Sequence, residues 1–472
     1  MADKKKIVIL GGGIGGLSAG YFLARSGKFQ VTLLEKTNTI GGVCGSFKHD
    51  GFILDYGAHK LYSVIPGILD EIKNVMEGRL LRVLKKNRIF LRGHLLDYPL
   101  KLGNLAKVLG AGTFLKLGLG YAVTFINGLF DKSPASSYAE YIMKKFGRGT
   151  YELVFEPLAD KVWGDPSTLH PDMARTRIPA SGGIDVILRL LGIKKESKDT
   201  SAEYFFYPEK GFGDFPLTLK EKIEQNGGRV FINAGSMHVK REAGRITGID
   251  AVIDGQAHSF ECDYMVSSIP LSSLGGLTLS HDKKFIGAVQ KLEFRSVVLV
   301  YVFVKRPLVL EDQWIFFPER EFMFSRIFEQ KQMNPDLGPA DRTAICCDFT
   351  CTADSRQWKA GDEEIAAKCI EGLIKGGFIK GSDVSGHLVV RFPDFYPRYD
   401  LGYQEKIKEV YNGLRQFDNL LLTGRIGMYN YNNADHCFDM GRFITEQLVE
   451  GKAINKIMDE LESRVADYRI VD

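Results

Sequence analysis

Lys6-Ile7-Val8-Ile9-Leu10-Gly11-Gly12-Gly13-Ile14-Gly15-Gly16-Leu17 is the stretch that decides the fold. Ile7 to Leu10 is an unbroken apolar run, the pattern of a parallel strand buried on both faces. Leu17 to Ser26 reads as a helix with small and apolar residues inward, Gly27 stops it, and Val31-Thr32-Leu33-Leu34 forms a second strand ending in Glu35. The spacing predicts a compact βαβ unit. Within it, Gly11-x-Gly13-x-x-Gly16 gains physical meaning: one glycine for a tight turn, one for backbone approach to a pyrophosphate, one for close helix-to-strand packing. The helix start presents free N–H groups and a positive dipole end to phosphate. Glu35 stands where a carboxylate accepts from ribose hydroxyls, which argues against the 2′-phosphate of NADP.

Composition narrows the classes further. The chain has 472 residues, 44% hydrophobic and 25% charged, which excludes wholesale disorder, a collagen-like fibre and a small disulfide scaffold. With 62 basic residues against 58 acidic, there is no electrostatic case for a nucleic-acid partner. The seven Cys are scattered and lack C-x-x-C pairing, so no metal site is expected and a reducing compartment is. The start, MADKKKIVILGGG, has too short an apolar stretch for a secretory signal, so a cytoplasmic location is expected.

After Glu35 the regular alternation of strands and helices is lost, then short strands return from Arg229 to Pro270 and from Asn419 to Gly424, with a long last helix from about Ala434 to Gly451. The expected architecture is α/β: a Rossmann-like, discontinuous domain from 1–62, 229–284 and 399–472, with an inserted α+β substrate domain from 63–228 and 285–398. Residues 105–130 carry only Lys107 and Lys116 as charges. Two readings stand side by side there: a buried or cavity-lining helix pair, or a helix that dips into one leaflet and makes a peripheral membrane contact. A true membrane span needs about 20 consecutive apolar residues, more than this stretch supplies.

Gly41-Gly42-Val43-Cys44-Gly45-Ser46-Phe47 and Asp55-Tyr56-Gly57-Ala58-His59 follow the βαβ unit. Here the sequence resembles the FAD-dependent superfamily of protoporphyrinogen oxidase, phytoene desaturase, amine oxidases and UDP-galactopyranose mutase. The resemblance implies FAD, a second glycine cradle along the pyrophosphate and ribityl chain, and a turn at Gly57-Ala58-His59 near the isoalloxazine. Together with the fingerprint it makes Gly11, Gly13, Ile14, Gly15, Gly16, Glu35, Lys36, Gly41, Gly42, Gly57, Ala58, His59, Val230, Gly424, Arg425, Asn433 and Ala434 the expected cofactor-binding residues, with no metal ligands. The block Asn419 to Gly427, followed by Tyr431-Asn432-Asn433-Ala434, resembles the family's last strand and helix start. No second Gly-x-Gly-x-x-Gly in strand-to-helix context appears, so a separate NADH domain is not expected, and no covalent flavin link through Cys437 is expected either.

Segments at 93–100, at Phe155 to Gly164, at Arg177-Ile178-Pro179 and at Tyr207-Pro208 are similar to mutase segments, although Leu158-Ala159-Asp160 departs from the mutase pattern. The first functional expectation is an FAD-dependent oxidoreductase of oxidase, dehydrogenase or desaturase type that moves a hydride from a small or lipophilic substrate to flavin N5. Tyr56, His59, Tyr207, Phe212, Arg425 and Tyr431 are the expected lining residues. His59, Tyr207, Arg425 and Tyr431 are the catalytic candidates, with no acid or base assigned and the electron acceptor open. The second is a mutase-like, non-redox use of the flavin on a sugar nucleotide, with Arg177, Arg295, Arg326 and Arg398 as diphosphate holders. The third is a flavin-free binding protein like the GDP-dissociation inhibitors.

Overall fold

The computed structural model describes residues 4–97, 106, 108–176 and 203–470. Tyr98-Pro99-Leu100, residues 105 and 107, and the Arg177-Ile178-Pro179 segment lie outside the described residues. Ile7, Val8, Ile9 and Leu10 are at most 1% exposed, and their strand, Lys5–Leu10, sits at the centre of a five-stranded parallel sheet. From edge to edge the strands are Leu420–Leu422, Tyr264–Ser267, Lys5–Leu10, Phe29–Leu34 and Arg229–Phe231. In chain order that is 5-4-1-2-3, so the winding reverses between Lys5–Leu10 and Tyr264–Ser267. Open parallel sheets bind their ligands in the crevice at such a reversal. A three-stranded antiparallel meander, Ala234–Glu242, Arg245–Ile253 and Gln256–Glu261, connects the third strand to the fourth.

A seven-stranded sheet forms the second layer system, with Glu293–Val304 between Val384–Arg398 and Thr343–Cys351. Its alternation sorts two cores. Val298, Val300, Val302 and Val304 pack with the Asp362–Lys375 helix residues Ile365, Cys369 and Leu373. Val297, Leu299, Tyr301 and Phe303 join the main core, which continues onto the parallel sheet. Burial on both faces is why this antiparallel strand reads as one continuous apolar run, a pattern usually left by parallel strands.

Two elements depart from the sequence reading. The stretch within 105–130 is not a buried helix pair: Ala111–Phe130 is one 20-residue helix with no buried residue. Apolar composition specifies an apolar neighbour but not whether that neighbour is protein. The second departure is a further helix, Ile454–Ala466, after the long Ala434–Val449 helix. Its amphipathic residues Ile454, Ile457, Met458, Leu461 and Val465 are buried.

Asp439 fastens that last helix. Its fully buried carboxylate accepts from Arg464 Nε at 2.6 Å, from Arg442 Nη2 at 2.8 Å and from Tyr468 Oη at 2.6 Å. Burial alone would raise its pKa, but the bonds from Arg464 and Tyr468 outweigh it and hold the carboxyl below its ordinary range. The Tyr468 ring in turn stacks on His436, centroids 4.5 Å apart. A depressed folded pKa means stability that is complete above the unfolded value and lost as pH falls through the folded one. Asp439→Asn is expected to cost about 3 kcal/mol at neutral pH. Urea unfolding should show that the gap to the parent protein narrows below about pH 4.

Candidate active site

The reversal point of the parallel sheet is packed too tightly for side chains. A Cβ on Gly16 would stand 2.0 Å from the Gly11 carbonyl oxygen, and one on Gly15 would stand 2.7 Å from the Gly424 Cα. Gly11 has φ +99°, and a Cβ there would meet Ser268 Oγ at 2.5 Å. Ser268 Oγ donates to the Leu10 carbonyl at 3.0 Å, tying the two central strands together beyond their ends. Gly13 is the exception: its backbone is ordinary, at φ −76° and ψ 174°, and nothing lies within 4 Å of where its Cβ would be. Gly11 and Gly16 of the fingerprint, with Gly15 beside them, serve packing. Gly13 faces open space.

Gly13 is also the cap residue of the Ile14–Arg25 helix, which has no side-chain cap and no acid in its first turn. The first N–H groups of a helix lack intrahelical acceptors, so this start is ready for an anion. The second glycine segment is brought directly beside it. Gly13 and Gly41 form a parallel bridge, and Gly41 N–H donates to the Gly12 carbonyl at 2.8 Å. Gly41 at φ +108° and Gly42 at φ +54° take left-handed backbone, which keeps this turn low against the first. Gly45 then accepts from Tyr56 N–H at 3.3 Å, so the glycine backbone runs on to Tyr56-Gly57-Ala58-His59. A bridge and two backbone hydrogen bonds thus link the reversal point to the Tyr56–His59 turn.

Glu35 flanks the other end. Its Oε2 accepts from Gly12 N–H at 2.6 Å, and its Oε1 from the Thr37 N–H and hydroxyl, both at 2.7 Å. These bonds orient the carboxylate and leave lone pairs for a further donor. Val230 pairs in register with Leu33 on the neighbouring strand, while Lys36 is exposed.

Beside the Tyr56–His59 turn and the seven-stranded sheet lies a cavity of about 110 Å³. Tyr56, His59, Trp163, Phe395, Tyr396 and Tyr431 form its aromatic walls. Val297, Leu299, Phe349 and Thr350 come from the seven-stranded sheet, and Arg326 and Asp348 supply an ion pair with Arg326 Nε 2.7 Å from Asp348 Oδ2. The residues expected to line the site divide here. Tyr56, His59 and Tyr431 do so; Tyr207 and Phe212 are fully buried beneath it. Arg425 stacks behind the wall, 5.3 Å from the Tyr396 centroid and 5.8 Å from that of Tyr431, and donates from Nε to the Asn432 carbonyl at 2.9 Å. No carboxylate among the described residues pairs with it. Asn433 and Ala434 open the Ala434–Val449 helix, where the Asn433 side chain and His436 form a reciprocal cap.

Sequence reading missed the walls from strands Glu293–Val304 and Thr343–Cys351, since inward and outward positions of a doubly buried strand look alike. It also missed Asp55 as the keystone. That buried carboxylate accepts from Ser46 Oγ at 2.6 Å, from Phe212 N–H at 3.0 Å and from the Tyr207 hydroxyl. Tyr207 Oη receives Gln330 Nε2 at 2.9 Å, so its own proton is committed to Asp55. Burial pushes the Asp55 carboxyl up to about 6, with these hydrogen bonds opposing further rise, so it is ionised at neutral pH. His59 moves the other way. Burial first, then the Arg425 and Arg326 charges, push it down to about 3. Its Nδ1 lies 3.0 Å from the Gly57 carbonyl and must carry the proton, leaving Nε2 as an acceptor. Burial pushes the Cys44 thiol up to about 12 and Cys437 up to about 11, so neither is a thiolate at neutral pH.

Comparison with known proteins agrees with this geometry. Residues 9–74 match the NAD(P)-binding Rossmann-like domain. Over 475 aligned residues the chain is 21% identical to coproporphyrinogen III oxidase of Bacillus subtilis, covering 94% of this chain and 97% of that one. It is 34% identical over 120 residues to 4,4′-diaponeurosporene oxygenase of Staphylococcus haemolyticus, and this match spans 24% of the chain and only 23% of the oxygenase. A solved structure of reduced UDP-galactopyranose mutase superposes with a TM-score of 0.81 at 19% identity, covering 100% of this chain and 99% of that one. The chain thus carries a Rossmann-like dinucleotide-binding domain in a mixed α/β fold shared with that mutase, and its resemblance to the superfamily of protoporphyrinogen oxidase, phytoene desaturase and the mutase holds at the level of sequence and of fold.

Asp55→Asn replaces an acceptor facing three donors with a group that has one acceptor oxygen. It is expected to lower the unfolding free energy by about 3 kcal/mol in denaturant titration. Proton NMR of His59 should show no titration over roughly pH 5 to 8, the window in which an unperturbed imidazole changes charge.

Proposed function

We propose that the chain is an FAD-dependent oxidoreductase whose substrate is a small organic molecule bound at the domain junction. The observation that carries this reading is the line of glycine backbone, joined by a bridge and hydrogen bonds, from Gly13 through Gly41, Gly42 and Gly45 to Gly57, which ends at a cavity. The fit is specific. Gly13 alone in the fingerprint leaves room for a pyrophosphate, the uncapped Ile14–Arg25 helix points its free N–H groups there, and Glu35 is held for a ribose. FAD bound along this line would supply the hydride-accepting chemistry.

The chain's own residues bind, orient and exclude water. Tyr56, Tyr396, Tyr431 and Trp163 provide an apolar, aromatic enclosure, which strengthens electrostatic interactions inside it. Neutral His59 offers an acceptor at Nε2 and carries no charge that would repel Arg425. Arg425, without an acidic partner among the described residues, places a positive charge behind the cavity, suited to negative charge developing in front of it. The full-length likeness to coproporphyrinogen III oxidase and the partial one to diaponeurosporene oxygenase support oxidation of a small organic substrate. The described arginines of the mutase-like reading are already occupied: Arg295 on Thr350, Arg326 on Asp348, and Arg398 on Glu293 and the Trp163 carbonyl.

Two variants separate cofactor binding from folding. Gly13→Ala is compatible with the backbone and should fold with an unchanged melting midpoint while weakening FAD binding about ten-fold or more. Gly16→Ala collides with the Gly11 carbonyl and should cost about 3 kcal/mol of stability. Flavin content after denaturation, together with anaerobic bleaching by porphyrinogens, isoprenoids, amines and sugar nucleotides, tests the reaction. Bleaching by a C–H donor supports it; a colourless protein that takes up no added FAD overturns it, as does turnover of a UDP-sugar alone after chemical reduction.

A further inference from the structure

The Ala111–Phe130 helix is the largest feature that the proposed reaction does not use. Its 20 residues include one charge, Lys116, and, against the expectation that the stretch is too short for a span, it is by length and composition long and apolar enough to cross a membrane. Leu115, Leu119, Val123, Ile126 and Phe130 recur at steps of three or four and so share one face. They are between 54% and 83% exposed. The other face is seated on the body. A Cβ on Gly147 would stand 3.3 Å from Thr124 Oγ1 and 3.5 Å from Tyr121 Cα, and one on Gly149 would stand 2.5 Å from Leu117 Cδ2. Both ends return to the same body, through buried Leu109 and through the 3.0 Å ion pair of Asp131 with Lys144. A helix seated along one face and tethered at both ends cannot cross a bilayer. Its free face can enter one leaflet.

Beneath the helix an apolar seam leads inward. Leu117, Val108, Leu109 and Leu153 pack with Ile89, Leu91 and Leu96 in one cluster that also contains Phe316, and Phe316 is a wall of the cavity. Lys116 and Lys132 stand exposed beside the strip, the charge sign that anionic headgroups attract. We propose that the Leu115–Phe130 face lies in the acyl region of one membrane leaflet, and that the seam under it admits a membrane-dissolved apolar substrate to the cavity. The second half rests on reading that cavity as the site of oxidation.

Sedimentation of the full chain with vesicles of phosphatidylcholine, alone and mixed with phosphatidylglycerol, tests the first half. The parent protein should co-sediment, more strongly with the anionic mixture, and Leu119→Glu and Val123→Glu should each weaken partitioning about ten-fold or more. Because these side chains are more than half exposed, both variants should keep the parent's melting midpoint and FAD content. For the second half, flavin bleaching by an isoprenoid presented in vesicles should slow in both variants, while bleaching by dithionite should not change. A parent protein that holds FAD but stays in the supernatant overturns the membrane inference and leaves the oxidoreductase reading standing; one that sediments without binding FAD does the reverse. A dimer in buffer that Leu119→Glu converts to monomer, with no vesicle binding by either, would assign the face to a second copy of the chain and overturn the proposal.

Discussion

The absence of a β-carbon at Gly16 is the constraint on which the rest of the structure depends. Only a bare Cα allows the first helix to descend onto the Gly11 carbonyl, where a methyl group would stand 2.0 Å from the oxygen. That descent aims the helix start across the reversal of the sheet. Ser268, Gly424 and Gly427 close around the same point, with a Cβ on Gly427 meeting the Thr423 carbonyl at 2.4 Å. Three distant parts of the chain therefore converge at one spot by backbone contact, and the space left over is the groove that faces Gly13.

A second constraint sets the relation of the groove to the cavity. Asp55 belongs to the turn that ends the glycine line, yet its partners come from elsewhere: Tyr207, Phe212, Gln330 and, through the Asp55 carbonyl, Tyr301. A buried carboxylate that accepts from three donors on separate segments leaves this turn little freedom to shift against the elements around it. The turn Gly57-Ala58-His59 is thereby held against the seven-stranded sheet, and His59 is locked on Phe212 with ring centroids 4.8 Å apart. Farther out, Asp439 and the stacked pair His436–Tyr468 brace the start of the Ala434–Val449 helix from behind. The position of Asn433 and Ala434 thus depends on the last helix of the chain.

Individual residues show where sequence reading was sufficient. The βαβ unit was legible because strand, turn and helix are consecutive and their periodicities are local, and the pairing of Gly41-Gly42 with the first cradle was legible as a resemblance. Tyr207 shows the opposite. Its neighbours in sequence place an aromatic near the site, but the hydroxyl is turned into the protein by Asp55, a residue 152 positions away. Val297 and Leu299 face the cavity while Val298 and Val300 face a helix, and nothing in an all-apolar string distinguishes the two sets.

The sequence by itself determined the Rossmann-like unit, the carboxylate at the second strand's end and the existence of a long apolar segment at 105–130, because each depends on residues close together along the chain. Only the tertiary structure decided which aromatics reach the cavity, that His59 stays neutral, and that the apolar segment lies outside the core with one face unclaimed. These outcomes turn on burial and on charges contributed by separate segments, and both quantities arise only when the chain has folded.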